Sequence, residues 1–217
     1  MIVVKAYKGA VEFPKAYKGT QLLYEAGGNL PKEYQQVEYL QSTSNDFETN
    51  YIETGLYYTN DLTVNLDFYV DSAFGNYGRL FGIDDTQYEV LGMSDAASMY
   101  FRCYTPDGTD SHGYSFTNGT RNTLSYGNGA LVVNDIQQWT YTPAVYGSNS
   151  LRLFSSHADR DGAYKMYSCQ IYQGGILVRD FVPCYRKSDQ EPGLYDLVNG
   201  VFYTNQGSVP FLVGGNV

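Results

Sequence analysis

Tyr167-Ser168-Cys169-Gln170-Ile171-Tyr172-Gln173-Gly174-Gly175-Ile176-Leu177-Val178-Arg179-Asp180-Phe181-Val182-Pro183-Cys184 and, after a polar gap, Gly193-Leu194-Tyr195-Asp196-Leu197-Val198-Asn199-Gly200-Val201-Phe202-Tyr203 decide the fold. Both halves are rich in β-branched and aromatic residues. One is broken by Gly174-Gly175 and the other by Asn199-Gly200. These dipeptides supply the positive φ angles that tight hairpin turns require, so each half predicts a β-hairpin.

The same pattern extends upstream. Leu62 to Val70 alternates strictly, with Leu62, Val64, Leu66, Phe68 and Val70 on one face and Thr63, Asn65, Asp67 and Tyr69 on the other. That is the period of a half-buried strand. Further strand-length runs cover 79–83, 88–93, 98–104, 121–126, 130–134 and 151–154. Asp107-Gly108, Asn118-Gly119 and Asn128-Gly129 mark turns between them. No segment keeps a helical period. Many short strands with closely spaced turns predict an all-β, two-sheet antiparallel sandwich of jelly-roll type over about 30–213. The 217 residues suffice for one such domain without a covalent staple.

The stretch 167–203 closely resembles the closing block of concanavalin A-like (laminin G-like) lectin/glucanase domains in virion proteins of tailed phages and prophages of gut bacteria. The run Leu30-Pro31-Lys32-Glu33-Tyr34-Gln35-Gln36-Val37-Glu38-Tyr39-Leu40 resembles the opening of the same domains. Asn50-Tyr51-Ile52-Glu53-Thr54-Gly55 stands where they continue, after an insert from Thr43 to Thr49 that they lack. The resemblance spans roughly 30–213 and thins between Phe74 and Gly119. It implies a concanavalin A-like jelly roll in a virion structural protein.

Ahead of the 29–217 domain lies an arm, residues 1–28. In it Lys5-Ala6-Tyr7-Lys8-Gly9 recurs as Lys15-Ala16-Tyr17-Lys18-Gly19. Glycines 9 and 19 predict turns between short strands. The repeat resembles Lys-x-Tyr-x-Gly leaders of phage tail and capsid-fibre proteins. Residues 1–24 hold four lysines against Glu12, whereas the remainder holds 10 basic and 22 acidic residues. A basic arm thus precedes an acidic body. Burial of the arm's ten large apolar residues falls short of the entropy lost on ordering its backbone. The expectation is an assembly arm that orders against other virion proteins or a second copy, with Lys5, Tyr7, Lys8, Lys15, Tyr17 and Lys18 making the contacts.

Composition narrows the partners. A net charge of −9 argues against nucleic acid, and no run approaches transmembrane length. Lys5 interrupts the apolar start, so no signal peptide is read, and synthesis in the host bacterial cytoplasm with assembly into the virion is expected. Cys103, Cys169 and Cys184 are not a disulfide framework. Cys169 and Cys184 fall on successive predicted strands, and buried free thiols are the preferred reading over a pair.

Catalysis is not expected. Glycoside hydrolysis needs two carboxylates about 5–10 Å apart, and the glucanase strand motif that supplies them is missing. Asp84-Asp85 and Asp159-Arg160-Asp161 have no glutamate partner at strand spacing. His112 and His157 sit in polar loop sequence. No Cys-x-x-Cys or His-Glu-x-x-His spacing occurs, and no cofactor is expected. Asp159 and Asp161 offer oxygens for a structural Ca²⁺, but Asp-x-Asp-Gly falls short of a full calcium loop and serves equally as a turn. The chain has 23 tyrosines. Tyr57, Tyr58, Tyr77, Tyr100, Tyr104, Tyr114, Trp139 and Tyr141 lie among Asn, Ser, Thr and Asp and are candidates for glycan or partner contact. For Trp139 a core or half-buried strand position is the competing reading. The functional expectation is a fibre or capsid/tail decoration subunit displaying a lectin-like domain for adhesion to host-surface glycans. Its alternatives are a dedicated receptor-binding lectin and, last, a glycan hydrolase.

Overall fold

The computed structural model describes residues 6–8, 11–13, 15–18, 21–25, 30–42, 50–57, 59–70, 80–83, 92–95, 98–105, 108–114, 119–141, 150–155 and 164–217. Its side chains are described for 30–42, 50–57, 59–70, 80–82, 119–141, 150–155 and 164–217.

The arm repeat forms two successive hairpins. In the first, β1 (Ala6–Lys8) pairs with β2 (Val11–Phe13). In the second, β3 (Lys15–Lys18) pairs with β4 (Gln21–Glu25). Each copy of the repeat supplies the first strand of its hairpin.

The body begins with β5 (Tyr34–Gln36), β6 (Leu40–Gln41), β7 (Ile52–Tyr57) and β8 (Leu62–Val70). Next come β9 (Phe81–Ile83), β10 (Gly92–Asp95), β11 (Ser98–Thr105) and β12 (Gly108–Tyr114). Then follow β13 (Arg121–Gly127), β14 (Ala130–Val133), β15 (Ile136–Thr140) and β16 (Ser150–Leu153). The chain closes with β17 (Tyr164–Gln173), β18 (Ile176–Arg186), β19 (Glu191–Asp196), β20 (Val201–Thr204) and β21 (Leu212–Val213).

Every described pairing is antiparallel. The main sheet runs β15-β14-β13-β8-β17-β18-β19-β20, with β5 on β18 and with β6 between β17 and β21. A second sheet runs β7-β16-β9, and β10-β11-β12 form a third set. The chain is all-β, two antiparallel sheets forming a sandwich, an arrangement consistent with a jelly roll.

The turns follow the sequence. Gly174-Gly175 closes β17 onto β18 with φ of 56° and 75°. Asn128-Gly129 closes β13 onto β14 with φ of 50° and 76°. Both are two-residue loops with positive φ at both positions, whose twist matches that of the strands. A third turn of this kind, Asn134-Asp135 with φ of 50° and 64°, joins β14 to β15. The strand run 130–134 predicts Asn134 at a strand end, whereas the structure puts it in the turn. Asn and Asp tolerate the left-handed region because their short polar side chains bond locally. Asn134 Oδ1 accepts the Thr123 N–H at 2.9 Å, and its Nδ2 donates to Asn122 Oδ1 at 2.9 Å.

The core lies between the main sheet and β7-β16-β9. Leu62, Val64, Leu66, Phe68 and Val70 of β8 are almost wholly buried, as the alternation predicts. Leu124 and Tyr126 from β13, Leu131 and Val133 from β14, and Met166, Cys169 and Ile171 from β17 share that layer. Ile52, Phe81, Leu151 and Leu153 face it from the second sheet. Tyr164 is also buried. Its hydroxyl donates to the Leu80 carbonyl at 2.5 Å, and burial pushes its pKa well above the usual phenol value.

The 167–203 block is latched by one buried carboxylate. Asp196 Oδ1 accepts the N–H groups of Asp180 and Val198, both at 3.0 Å, and Oδ2 accepts Asn199 Nδ2 at 2.7 Å. The Arg179 guanidinium stands 3.6 Å from the same oxygen. It also donates to the Thr54 carbonyl at 3.0 and 3.2 Å, tying β18 to β7 across the sandwich. Asp180, Asp196 and Asn199 in the block therefore hold a turn, and Gly200 completes it with φ of 68°. The C-terminal segment clasps the body's first strands. β21 pairs with β6, Val37 bridges Asn216, and Gly214 N–H donates to the Tyr39 carbonyl at 2.9 Å.

Cys169 and Cys184 are free and buried. Cys169 pairs in register with Phe181, three residues short of Cys184, so the two thiols point to opposite faces of the sheet. Burial pushes both thiol pKa values up, that of Cys184 to about 12.

Candidate functional site

The outer face of the main sheet, opposite the core, carries the polar half of the β8 alternation. Residues directly opposite each other on paired strands share a face, so register alone assembles this surface. One row runs Lys165–Tyr69–Arg121 across β17, β8 and β13. The next runs Ser168–Asp67–Thr123, and the third Gln170–Asn65–Ser125 with Val132 of β14 beside it. A shallow groove of ≈ 370 Å³ lies over the second and third rows, with Asp135 at its rim.

The groove's polar groups divide into committed and uncommitted ones. Arg121 holds Asp67 in a fork, Nε to Oδ1 and Nη2 to Oδ2, each 2.7 Å. The hydrogen bonds that Arg121 donates to the Asp67 carboxylate raise the Arg121 pKa above its ordinary value. Gln170 donates to Asp180 Oδ1 at 3.1 Å and accepts the Tyr172 hydroxyl at 3.1 Å. By contrast, Asn65 Oδ1 is out of reach of solvent and meets no donor. Each buried, unpaired polar atom is destabilising by about 1–3 kcal/mol, and because this oxygen is sealed from solvent, a ligand's donor meets it only when the Asn65 side chain turns outward.

Aromatic rings flank the groove. The Arg121 guanidinium lies 3.7 Å over the Tyr167 ring. Tyr167 meets Tyr39 edge-on at 5.6 Å. Lys165 Nζ stands 4.6 Å from the Tyr39 centroid and 4.9 Å from that of Tyr69. Farther along the same face, Tyr34 packs against Tyr195 and Phe202, each at 4.9 Å, with Arg186 over Phe202. Phe202 covers Gly193, where a Cβ would come within 2.8 Å of its ring.

The contact residues expected from sequence are dispersed. Tyr57 is exposed at the end of β7, on the second sheet. Trp139 and Tyr141 are half-buried and pack against the core, with Tyr141 stacked on Tyr126 at 5.2 Å. For Trp139 this matches the half-buried strand reading. Tyr100, Tyr104 and Tyr114 lie on β11 and β12, whose side chains are outside the described residues. Tyr58 and Tyr77 are likewise outside them, as are the calcium candidates Asp159 and Asp161 and the arm residue Lys5. Tyr7, Lys8, Lys15, Tyr17 and Lys18 occupy arm strands without described side chains. Among the described residues no cluster of three or more His, Cys, Asp and Glu is placed to hold a metal. No described helix is long and apolar enough to cross a membrane.

Sequence reasoning did not single out Asn65, Asp67, Ser125 and Ser168. Their signal was the polar phase of the β8 alternation, which marks a face but not its neighbours. No family model matches the chain, and no curated protein matches it.

Proposed function

We propose that the protein is a non-catalytic structural subunit of a tailed-phage virion, whose sandwich adheres to surface glycans through the outer-face groove. The observation that carries the glycan part is the groove's chemistry. Thr123, Ser125, Ser168 and Asp67 line the groove with hydroxyl and carboxylate groups, and the rings of Tyr69 and Tyr167 stand beside it, one face of each taken by Lys165 and Arg121. A saccharide brings hydroxyl donors and an apolar ring face, the two things this surface accepts. Asp67, forked to Arg121, is an oriented acceptor in a positioning geometry. The virion part is supported by the resemblance of 167–203 and by the basic two-hairpin arm. Many displayed copies would multiply a modest single-site affinity.

Titration of the full chain with a panel of neutral and acidic oligosaccharides tests the groove. Binding is expected, without release of reducing ends, and is lost in Ser125→Trp, which fills the groove from a half-exposed position while leaving the fold intact by circular dichroism. Binding unchanged by that substitution overturns the site, and turnover overturns the non-catalytic role. The virion role is tested by locating the labelled subunit in intact particles. Deleting residues 1–28 is expected to leave the melting temperature unchanged and to abolish incorporation, and normal incorporation of the truncated chain overturns the anchor.

A further inference from the structure

The proposed glycan site has a feature that a neutral sugar does not need. Three rows of side chains cross the outer face, and the row next to the groove contains two cations. Arg121 is committed, since both prongs of its fork reach Asp67 at 2.7 Å. Lys165 is not. Its ammonium lies 4.6 and 4.9 Å from the Tyr39 and Tyr69 ring centroids, and no carboxylate pairs with it among the described residues. Two π-faces attract a cation but leave its positive charge in place. Lys165 is half-buried, so its long stem is held by the flanking rings and its head is pre-positioned. The row of Asp67 and the row of Lys165 are one strand repeat apart, about 7 Å. The third row, that of Asn65 and Ser125, is a further repeat away, so an extended oligosaccharide lying along β8 crosses about 13 Å to reach from Ser125 to Lys165.

Resting on the reading of the groove as a glycan site, we infer that it selects acidic glycans: Lys165, steadied between Tyr39 and Tyr69, takes the carboxylate or sulfate of a charged saccharide while the groove takes its hydroxyls. The overall net charge of −9 does not oppose this at physiological ionic strength, because exposed charges more than about 8 Å apart are largely screened. A contact at Lys165 acts well within that distance.

The test is a titration of the full chain with an oligogalacturonate, its methyl ester and a sulfated oligosaccharide of equal length. The ester keeps the sugar backbone and removes the charge. The wild-type protein is expected to bind the acid about fivefold more tightly than the ester, the scale of one partly exposed ion pair. Lys165→Met is expected to erase that preference and keep ester binding, and Lys165→Arg to retain it. A larger preference for the sulfated ligand, equally lost in Lys165→Met, identifies sulfate as the natural group. Equal binding of acid and ester, or a preference that survives Lys165→Met, overturns the acidic class. If the ester still binds and Ser125→Trp removes it, the groove stands while the acidic inference falls. If none of the three ligands binds, both fall.

Discussion

The two faces of β8 are one strand read twice. On its inner face Leu62, Val64, Leu66, Phe68 and Val70 disappear into the core, each at most 2% exposed. On its outer face Thr63, Asn65, Asp67 and Tyr69 stay half-buried and meet Ser125, Arg121, Gln170 and Lys165. The inner face is held by the non-directional removal of apolar surface from water and by close packing. The outer face is held by directional contacts that water can replace at small net cost. Stability therefore resides on one side of the strand, and the other side is free to be specialised for a ligand.

The sharpest way to break this comparison is to damage each side in turn. Phe68→Ala empties a fully buried site and is expected to lower unfolding free energy by about 3–5 kcal/mol in chemical denaturation. A loss below about 1 kcal/mol would mean that the inner face does not carry the fold. Asp196→Ala tests whether a buried polar latch behaves like the apolar core. It removes the buried counter-charge of Arg179, which keeps its bonds to the Thr54 and Val178 carbonyls, and it unties the turn, so a loss of about 3 kcal/mol is expected.

The thiols give a pH version of the same test, one on each side of the sheet. Both folded-state pKa values are raised above the unfolded value, and burial is the first cause. Their contribution is therefore full below the unfolded thiol value, near 9, and is lost as pH rises from there toward about 12 for Cys184. The unfolding free energy from denaturant titrations is expected to fall over that window by about 1.4 kcal/mol per pH unit for each thiol. Cys184→Ala should flatten the slope, and an unchanged slope would show that the thiol ionises freely in the folded protein.

Outer-face changes should be the mildest. Asp67→Asn weakens the fork to Arg121, whose side chain is 55% exposed, and is expected to lower stability by less than about 1 kcal/mol. Ser125→Ala should fall within about 0.5 kcal/mol of wild type by the same measurement. A large loss from either would show that the outer face is structural, and the groove would then lose its standing as a site that tolerates specialisation.

Gly127 shows why some of the fold was not legible. From sequence it reads as the residue before the Asn128-Gly129 turn. In the fold its φ is 149°, and a Cβ there would lie 2.3 Å from the Leu62 carbonyl oxygen and 2.5 Å from the Thr63 Cα. Only the neighbouring strand makes that glycine obligatory. The turns at Gly174-Gly175 and Asn128-Gly129 were legible because their cause is local. The Asn134-Asp135 turn was missed because Asn-Asp carries a weaker positive-φ signal than Asn-Gly.

The sequence by itself determined the class of structure: strands by period, turns by dipeptide, and the burial of the β8 apolar set. Each of these depends on residues a few positions apart. Only the tertiary structure decided what lies across from what. It joined Asn65 with Ser125 and Gln170, set Arg121 upon Asp67, and placed Lys165 between Tyr39 and Tyr69. These partners are brought together by strand order and register, which are set by how the apolar faces pack, and no spacing along the chain encodes them.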